Sequence, residues 1–315
     1  MCPTISNPDG LTTKWPQQLE LSEFERQRRS LELDENPAFA ARVAAGELPP
    51  VDQRLPREPL ILLPYEECGR YGGVLRGLSL APTAGTSEIM SWRQVNLVRL
   101  SDDLQTIVPN VARAWSWGKE RRSITIHLRK GHRWSDGHPF TADDVVFFFE
   151  DIVKHPELYK KPPSGWTAGG EALTARRIDE TTVRFEFAAP FPAFLMYLAT
   201  GGSYFTPYAP KHVLAPLHIR HNPGADRAAK EAGYKDWVSR FGVYWDKWKD
   251  ELYDSEESLE VPTLDSHVLA DTPTQEKRRY VANPYYFKID SSGKQLPYIE
   301  AHHERFVPKE LFVLE

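Results

Sequence analysis

A chain of 315 residues, 41% hydrophobic and 26% charged, is long enough for two domains or for one large α/β domain with an appended part, and its composition is that of an ordinary globular protein. No run of apolar residues is long enough to cross a bilayer, and a net charge of −5 with interspersed signs offers no basic field to nucleic acid. Cys2 and Cys68 permit at most one disulfide, which excludes a cysteine zinc site and a disulfide framework.

No charged and then apolar leader precedes Thr4, so an export signal has either been removed or is lacking. Cys2, directly after the initiator, allows two readings: the lipid-bearing cysteine of a processed lipoprotein, or a surface cysteine near a terminus. Residues 1–66 read as an extension lying on the main body. In it, Ser22 with Glu25 predicts a capping box for a short charged helix, and Asn36-Pro37 with Gly46 brackets a second helix in which Phe39 and Val43 share a face. Pro49, Pro50, Pro56 and Pro59 predict an extended strap over residues 47–60, with an SH3-type ligand as the competing reading.

The core begins at Tyr71-Gly72-Gly73, which leads into a strand in VLRGLSLAP. Residues 85–92 read as a loop entering a helix faced by Ile89, Trp92 and Val95 or Asn96. Ligands of open α/β sheets gather at the carboxyl ends of strands, so residues 80–92 are the first place to look for one, with Thr86, Ser87, Glu88 and Trp92 as candidate contacts and Trp166 and Tyr204 behind them. The GxxxxGK[ST] pattern of a phosphate loop is missing.

The most informative stretch is 123–151, SITIHLRKGHRWSDGHPFTADDVVFFFED. Ile124, Ile126 and Leu128 alternate with Thr125, His127 and Arg129, which predicts a half-buried strand. Ser135-Asp136-Gly137 predicts a turn, Thr141 with Asp144 a capping box, and Val145, Phe148, Phe149 and Ile152 the buried face of a helix. Residues 154–172 read as a loop whose Trp166 is a buried anchor in preference to a ligand-facing ring. Val183, Phe185 and Phe187 alternate again in a strand that returns to the first. Then come a short apolar helix in PAFLMYLAT, a Gly201-Gly202 break, and YFTPYAPKHVL, which places Tyr204 near the return to the main body. In residues 236–252, Trp237, Phe241, Tyr244, Trp245, Trp248 and Leu252 form a stripe at helical spacing, read as core. Residues 279–282 predict a strand, Asn283-Pro284 and Ser291-Ser292-Gly293 turns, and the neighbours of His302 and His303 a further strand.

LRKGHRWSDGHPFTADDV resembles the signature of the family 5 extracytoplasmic solute-binding proteins, receptors of ABC importers, matching at Leu128, Arg129, Lys130, Gly131, Trp134, Asp136, Gly137, Pro139, Phe140, Thr141, Ala142, Asp143, Asp144 and Val145. NPAFAARVAAGELPPVDQRLPREPLIL resembles the leader of a subgroup, Pro262-Thr263-Leu264 an element before a later strand, and ANPYYFKIDSSGKQLPYIE a further family segment in which Phe287 and Glu300 replace Trp and Asp. The resemblance implies an α/β, type II periplasmic-binding-protein-like lobe with an inserted α+β subdomain and the second lobe missing. Its parts would be residues 1–66 (extension and proline strap), 67–100 (first part of lobe I), 101–190 (inserted subdomain), 191–306 (second part of lobe I) and 307–315 (truncated entry to lobe II). It implies a receptor without catalysis or cofactor, at the periplasmic or extracellular face of the membrane. Its ligand would be an oligopeptide or oligosaccharide and its partners the permease subunits, with a lipid anchor or the permease as its only link to the membrane. The leader and the aromatic excess of nine Trp, thirteen Tyr and fifteen Phe lean toward sugars, the family as a whole toward peptides.

Other chemistries are thinly supported. Lys211 and His212 read as cap and packing, His218 and His221 lack a third metal ligand, His302-His303-Glu304 is not HExxH, and Ser203 is not in a GxSxG elbow. The rival, a carbohydrate- or peptide-cleaving hydrolase with an aromatic-lined groove, requires two carboxylates facing one groove or a nucleophile with a base. The positional reading of Trp92 is open to one direct measurement. Trp92→Ala is expected to weaken ligand binding in a calorimetric titration with little change in Tm, whereas a large thermal loss at unchanged affinity would make Trp92 a core residue.

Overall fold

The computed structural model describes residues 18–26, 31–64, 66–80, 95–200, 206–250, 256–272, 274 and 276–308. The N-terminal part holds strand β1 (Gln18–Glu20), helices α1 (Leu21–Arg26), α2 (Pro37–Ala44) and α3 (Val51–Arg54), and strand β2 (Leu60–Leu62). Asn36 caps α2 as expected, its side chain accepting from Ala38 N, with Pro37 at the first helical position. Two expectations shift. α1 starts one residue before Ser22, and the Glu23 carboxylate, not a Ser22–Glu25 box, takes the Glu20 N–H at 3.1 Å. The proline strap is not extended throughout, because the four residues between Pro50 and Leu55 close the helical turn α3, which buries Val51 and Arg54.

Strand β3 (Val74–Ser79) is followed by β4 (Val98–Leu100) and β5 (Ile107–Pro109), which pair as a hairpin, and by β6 (Ala112–Trp117) and β7 (Ser123–Leu128). β7 is the alternating strand read from Ile124, Ile126 and Leu128, and all three are buried. Helix α4 (Ala142–Phe147) carries the full capping box: Asp143 N donates to Thr141 Oγ1 at 3.2 Å and Thr141 N to Asp144 Oδ2 at 2.8 Å. Its continuation is not α-helical. Phe148–Val153 form a π-helical turn, and two of its carbonyls turn sideways: Glu150 O accepts from Arg220 Nη1 at 2.6 Å and Asp151 O from His218 Nε2 at 3.0 Å.

The loop after it contains the small hairpin β8 (Thr167–Ala168) and β9 (Glu171–Ala172). Next are β10 (Thr174–Asp179) and β11 (Thr182–Glu186), with Phe185 opposite Ile124 across the β11–β7 pair. Helices α5 (Phe194–Thr200), α6 (Lys211–Leu214), α7 (Ala225–Glu231) and α8 (Trp237–Asp250) follow. Trp237, Phe241, Tyr244 and Trp245 of α8 are buried, as the aromatic stripe requires, while the Trp248 side chain and Leu252, the rest of the stripe, lie outside the described residues. The described part ends with β12 (His267–Leu269), β13 (Lys277–Ala282), β14 (Lys288–Asp290) and β15 (Ala301–Phe306).

Three sheets organise the described residues: β1-β2-β14, β10-β11-β7-β6 and β12-β13-β15-β3. In the last, β15 runs parallel to β3 and antiparallel to β13. One hydrophobic cluster reaches from Leu60 through the β10-β11-β7-β6 sheet and the α4 and α8 aromatics to Phe287, so the sheet over residues 112–186 shares its core with its surroundings.

Buried arginines hold these parts in register. Arg129, just past β7 and fully buried, donates twice to the Glu20 carboxylate at 2.8 Å, to Asn110 O at 2.8 Å and to Glu58 O at 2.9 Å, and so bolts β1 and the strap to the core. Arg54 does the same from α3, reaching Glu35, Pro284 O and Gln295 Oε1. Truncating a buried ion pair on one side costs about 3–5 kcal/mol. Arg129→Met is therefore expected to lower the urea-unfolding free energy by that order and to open residues 18–60 to limited proteolysis; a loss under about 1 kcal/mol would show that the strap is held by something else.

Candidate functional site

The turn of the signature stretch is a hub. Ser135 N donates to Thr263 O at 2.9 Å and Thr263 N to Ser135 Oγ at 3.0 Å, so Pro262-Thr263-Leu264 is seated on the turn. Thr263 Oγ1 then donates to Asp265 Oδ2 at 2.6 Å. Gly137, at φ +87°, lies under Tyr285, where an added Cβ would come within 2.8 Å of the Tyr285 hydroxyl. The seam between the turn, residues 259–269 and Tyr280 is a cavity of ≈ 250 Å³.

Asp136 reaches His212 of α6, Oδ2 to Nε2 at 2.7 Å, and the His138 ring stacks on His212 with centroids 3.9 Å apart. The structure therefore supplies the carboxylate partner for His212 that its sequence neighbourhood lacks. A hydrolytic triad needs a nucleophile on the other ring nitrogen, and Nδ1 of His212 is buried with no hydrogen-bond partner among the described residues. Lys211 N donates to Asp144 Oδ1 at 3.0 Å, which joins the start of α6 to the α4 cap. Cap and packing describe both residues.

His218 is fully buried and bonded at both nitrogens: Nε2 donates to Asp151 O, and Nδ1 accepts from Arg220 N at 3.1 Å. His221 Nε2 lies 3.0 Å from Asp151 Oδ2. Both imidazoles thus engage Asp151, one through its carbonyl and one through its carboxylate, and no group of three or more His, Cys, Asp or Glu suited to a metal exists among the described residues.

Of the expected ligand contacts, Thr86, Ser87, Glu88, Trp92 and Tyr204 lie outside the described residues. Trp166 is 3% exposed and meets Phe148, Phe149 and Phe194 edge-on, which is the anchor placement. A groove of ≈ 710 Å³ that no sequence motif marks runs along β3, β13 and β15, lined by Arg76, Lys277, Arg279, His303 and Arg305 together with Glu276. Its signal was the alternation of Lys277, Arg279 and Val281 with Arg278, Tyr280 and Ala282, in which the second set is the buried one.

These features define one lobe of an α/β binding protein, with a mixed sheet and an α+β unit beside it. Residues 106–311 match the family model for bacterial extracellular solute-binding proteins, family 5 Middle, and the chain belongs to that family. The periplasmic alpha-galactoside-binding protein of Rhizobium meliloti (strain 1021) is 30% identical over 285 residues, 83% of this chain and 37% of that protein. The solved structure of an oligopeptide-binding protein OppA superposes with a TM-score of 0.81 at 30% identity, covering 93% of this chain and 44% of the other. The periplasmic binding protein MelB of Agrobacterium fabrum C58, solved with stachyose, gives a TM-score of 0.68 at 28% identity, covering 88% and 41%. The chain thus spans less than half the length of these relatives. No helix among the described residues is long and apolar enough to cross a membrane.

Burial sets the acid response of this scaffold. Burial, then the Arg129 charge, pushes His132 down to about 3; burial, then His155, pushes His218 down to about 4; burial pushes His302 down to about 4. Each is neutral when folded and protonates near 6.5 when unfolded, so each withdraws stability as pH falls from about 6.5 toward 4. Asp144 runs the other way. Burial raises it to about 6 against the N–H groups of Thr141 and Lys211, so its protonation adds stability over nearly the same window. With three groups against one, the urea midpoint is expected to fall between pH 6.5 and 4.5, and a flat or rising midpoint would contradict the burial of these imidazoles.

Proposed function

We propose that this chain forms a lobe of a non-catalytic receptor that captures an oligosaccharide of the galactoside type outside the cytoplasmic membrane and presents it to the permease of an ABC importer. The observation that carries this reading is 30% identity over 83% of the chain to an alpha-galactoside-binding protein, together with the likeness to a stachyose-bound receptor. The likeness to OppA supports an oligopeptide as the second reading. In either case capture proceeds by cleft closure: apolar and aromatic walls supply affinity, and the closed form is what the permease recognises.

In this reading residues 1–66 are an extension, 67–100 and 191–306 build the lobe, 101–190 are an inserted subdomain, and 307–315 lead toward a second lobe. Thr86, Ser87, Glu88 and Trp92, in the segment after β3, and Tyr204, after α5, contact the solute, while Trp166 supports the core behind them.

Calorimetry and tryptophan fluorescence against stachyose, raffinose and a tetrapeptide panel test the proposal, with chromatography of the incubated ligands. Saturable binding of the galactosides without released products is expected. Binding of peptides alone would transfer the chain to the second reading, release of monosaccharides or amino acids would make it a hydrolase, and silence toward every ligand would remove the receptor reading.

A further inference from the structure

The β12-β13-β15-β3 sheet has two unlike faces. On one, Arg278 and Glu304 form an ion pair at 3.0 Å, 1% and 0% exposed, and Ser79 Oγ donates to Glu304 Oε1 at 2.5 Å. On the other, the register gathers basic side chains and sets one like-charge pair, Lys277 and Arg305, side by side. Arg279 lies opposite His303, which lies opposite Arg76; Lys277 lies opposite Arg305, which lies opposite Leu78. Cross-strand like charges are destabilising when nothing compensates them. Arg279 pairs with Asp271 at 2.7 Å and Glu276 also lines the groove, whereas the side chains of Arg76 and Lys277 have no hydrogen bond or ion pair among the described residues. The patch is also opposite in sign to the chain, whose net charge is −5.

We infer that the groove along the exposed face of β3, β13 and β15 is a binding site for a small multiply charged anion carrying two or more carboxylate or phosphate groups. The Arg279–His303–Arg76 row spans three strands, about 10 Å, and the Lys277–Arg305 row, two residues further along the strands, roughly 7 Å, spans two. That lattice suits separated anionic groups and is wasted on a single monovalent ion. The groove of ≈ 710 Å³ has room for such a molecule. The Lys277–Arg305 row also lies at the carboxyl ends of the parallel strands β15 and β3, where α/β sheets collect ligands. The anion would be held chiefly by charge and by guanidinium hydrogen bonds, so its affinity falls as salt rises.

Inorganic pyrophosphate and citrate are the probes, titrated calorimetrically into the full chain at low ionic strength, with acetate at matched ionic strength as the comparison. Saturable binding of one or both, absent with acetate, is expected to distinguish a phosphate from a carboxylate source. R76Q combined with K277Q should weaken it at least tenfold, while Arg227→Gln, an exposed arginine on α7, should leave it unchanged. Circular dichroism checks the fold, and either single substitution serves if the pair perturbs it. The His303 imidazole NMR signals should shift on titration, a readout independent of any variant. No saturable heat, equal binding of acetate, or unchanged affinity in the R76Q and K277Q variants would overturn the site. Galactoside or peptide binding is measured separately, so the receptor reading stands or falls on other data.

Discussion

The guanidinium of Arg129 is the constraint on which the assembly turns. It sits at zero exposure beside the end of β7 and is satisfied by the Glu20 carboxylate and the carbonyls of Asn110 and Glu58, which come from β1, the strap and the turn between β5 and β6. Desolvating a cation is costly, and only the full set of partners repays it. The strap therefore cannot slide without stranding the charge. Arg54 imposes the same condition between α3 and the segment around Pro284 and Gln295, and Arg278 imposes it between β13 and β15. Hydrophobic contact alone would tolerate small shifts of register; these pairs do not.

The π-helical turn at Phe148–Val153 works in a similar way with neutral groups. A wider turn leaves carbonyls pointing out of the helix, and those of Glu150 and Asp151 are taken by Arg220 and His218. Because His218 must donate from Nε2 and accept at Nδ1, it has to be neutral. The packing of residues 211–222 on this helix thereby becomes acid-sensitive. His132 adds to the effect differently: both ring nitrogens lack hydrogen-bond partners among the described residues, and the ring is wedged against Phe140 and Phe287.

What could be read before the structure was local. The Thr141–Asp144 box, the Asn36 cap, the alternation of β7 and β11 and the stripe on α8 from Trp237 to Trp245 each depend on residues within a few positions of one another, and each is present as read. The misplacements have equally local causes: Glu23 outcompeted Ser22 for the start of α1, and four residues between prolines sufficed for a helical turn. The long-range partners were not legible. Asp136 and His212 are 76 positions apart, and Arg129 and Glu20 are 109 apart, and no periodicity links them. The cationic face was half legible, since alternation shows that Lys277 and Arg279 share a face but only the pairing with β15 and β3 adds Arg305 and Arg76.

The signature stretch itself explains why a highly recognisable segment need not be a binding site. Ser135 is spent on Thr263, Asp136 on His212 and on His138 N, Thr141 on the helix cap, and Asp144 on Thr141 N and Lys211 N. A solute arriving there would have to break bonds already made between protein groups, and the exchange would gain little. The stretch fixes where α4, α6 and residues 262–265 sit relative to β7. Recognition then falls to surfaces whose polar groups are still available, and among the described residues the sheet face bearing Arg76 and Lys277 is a clear example.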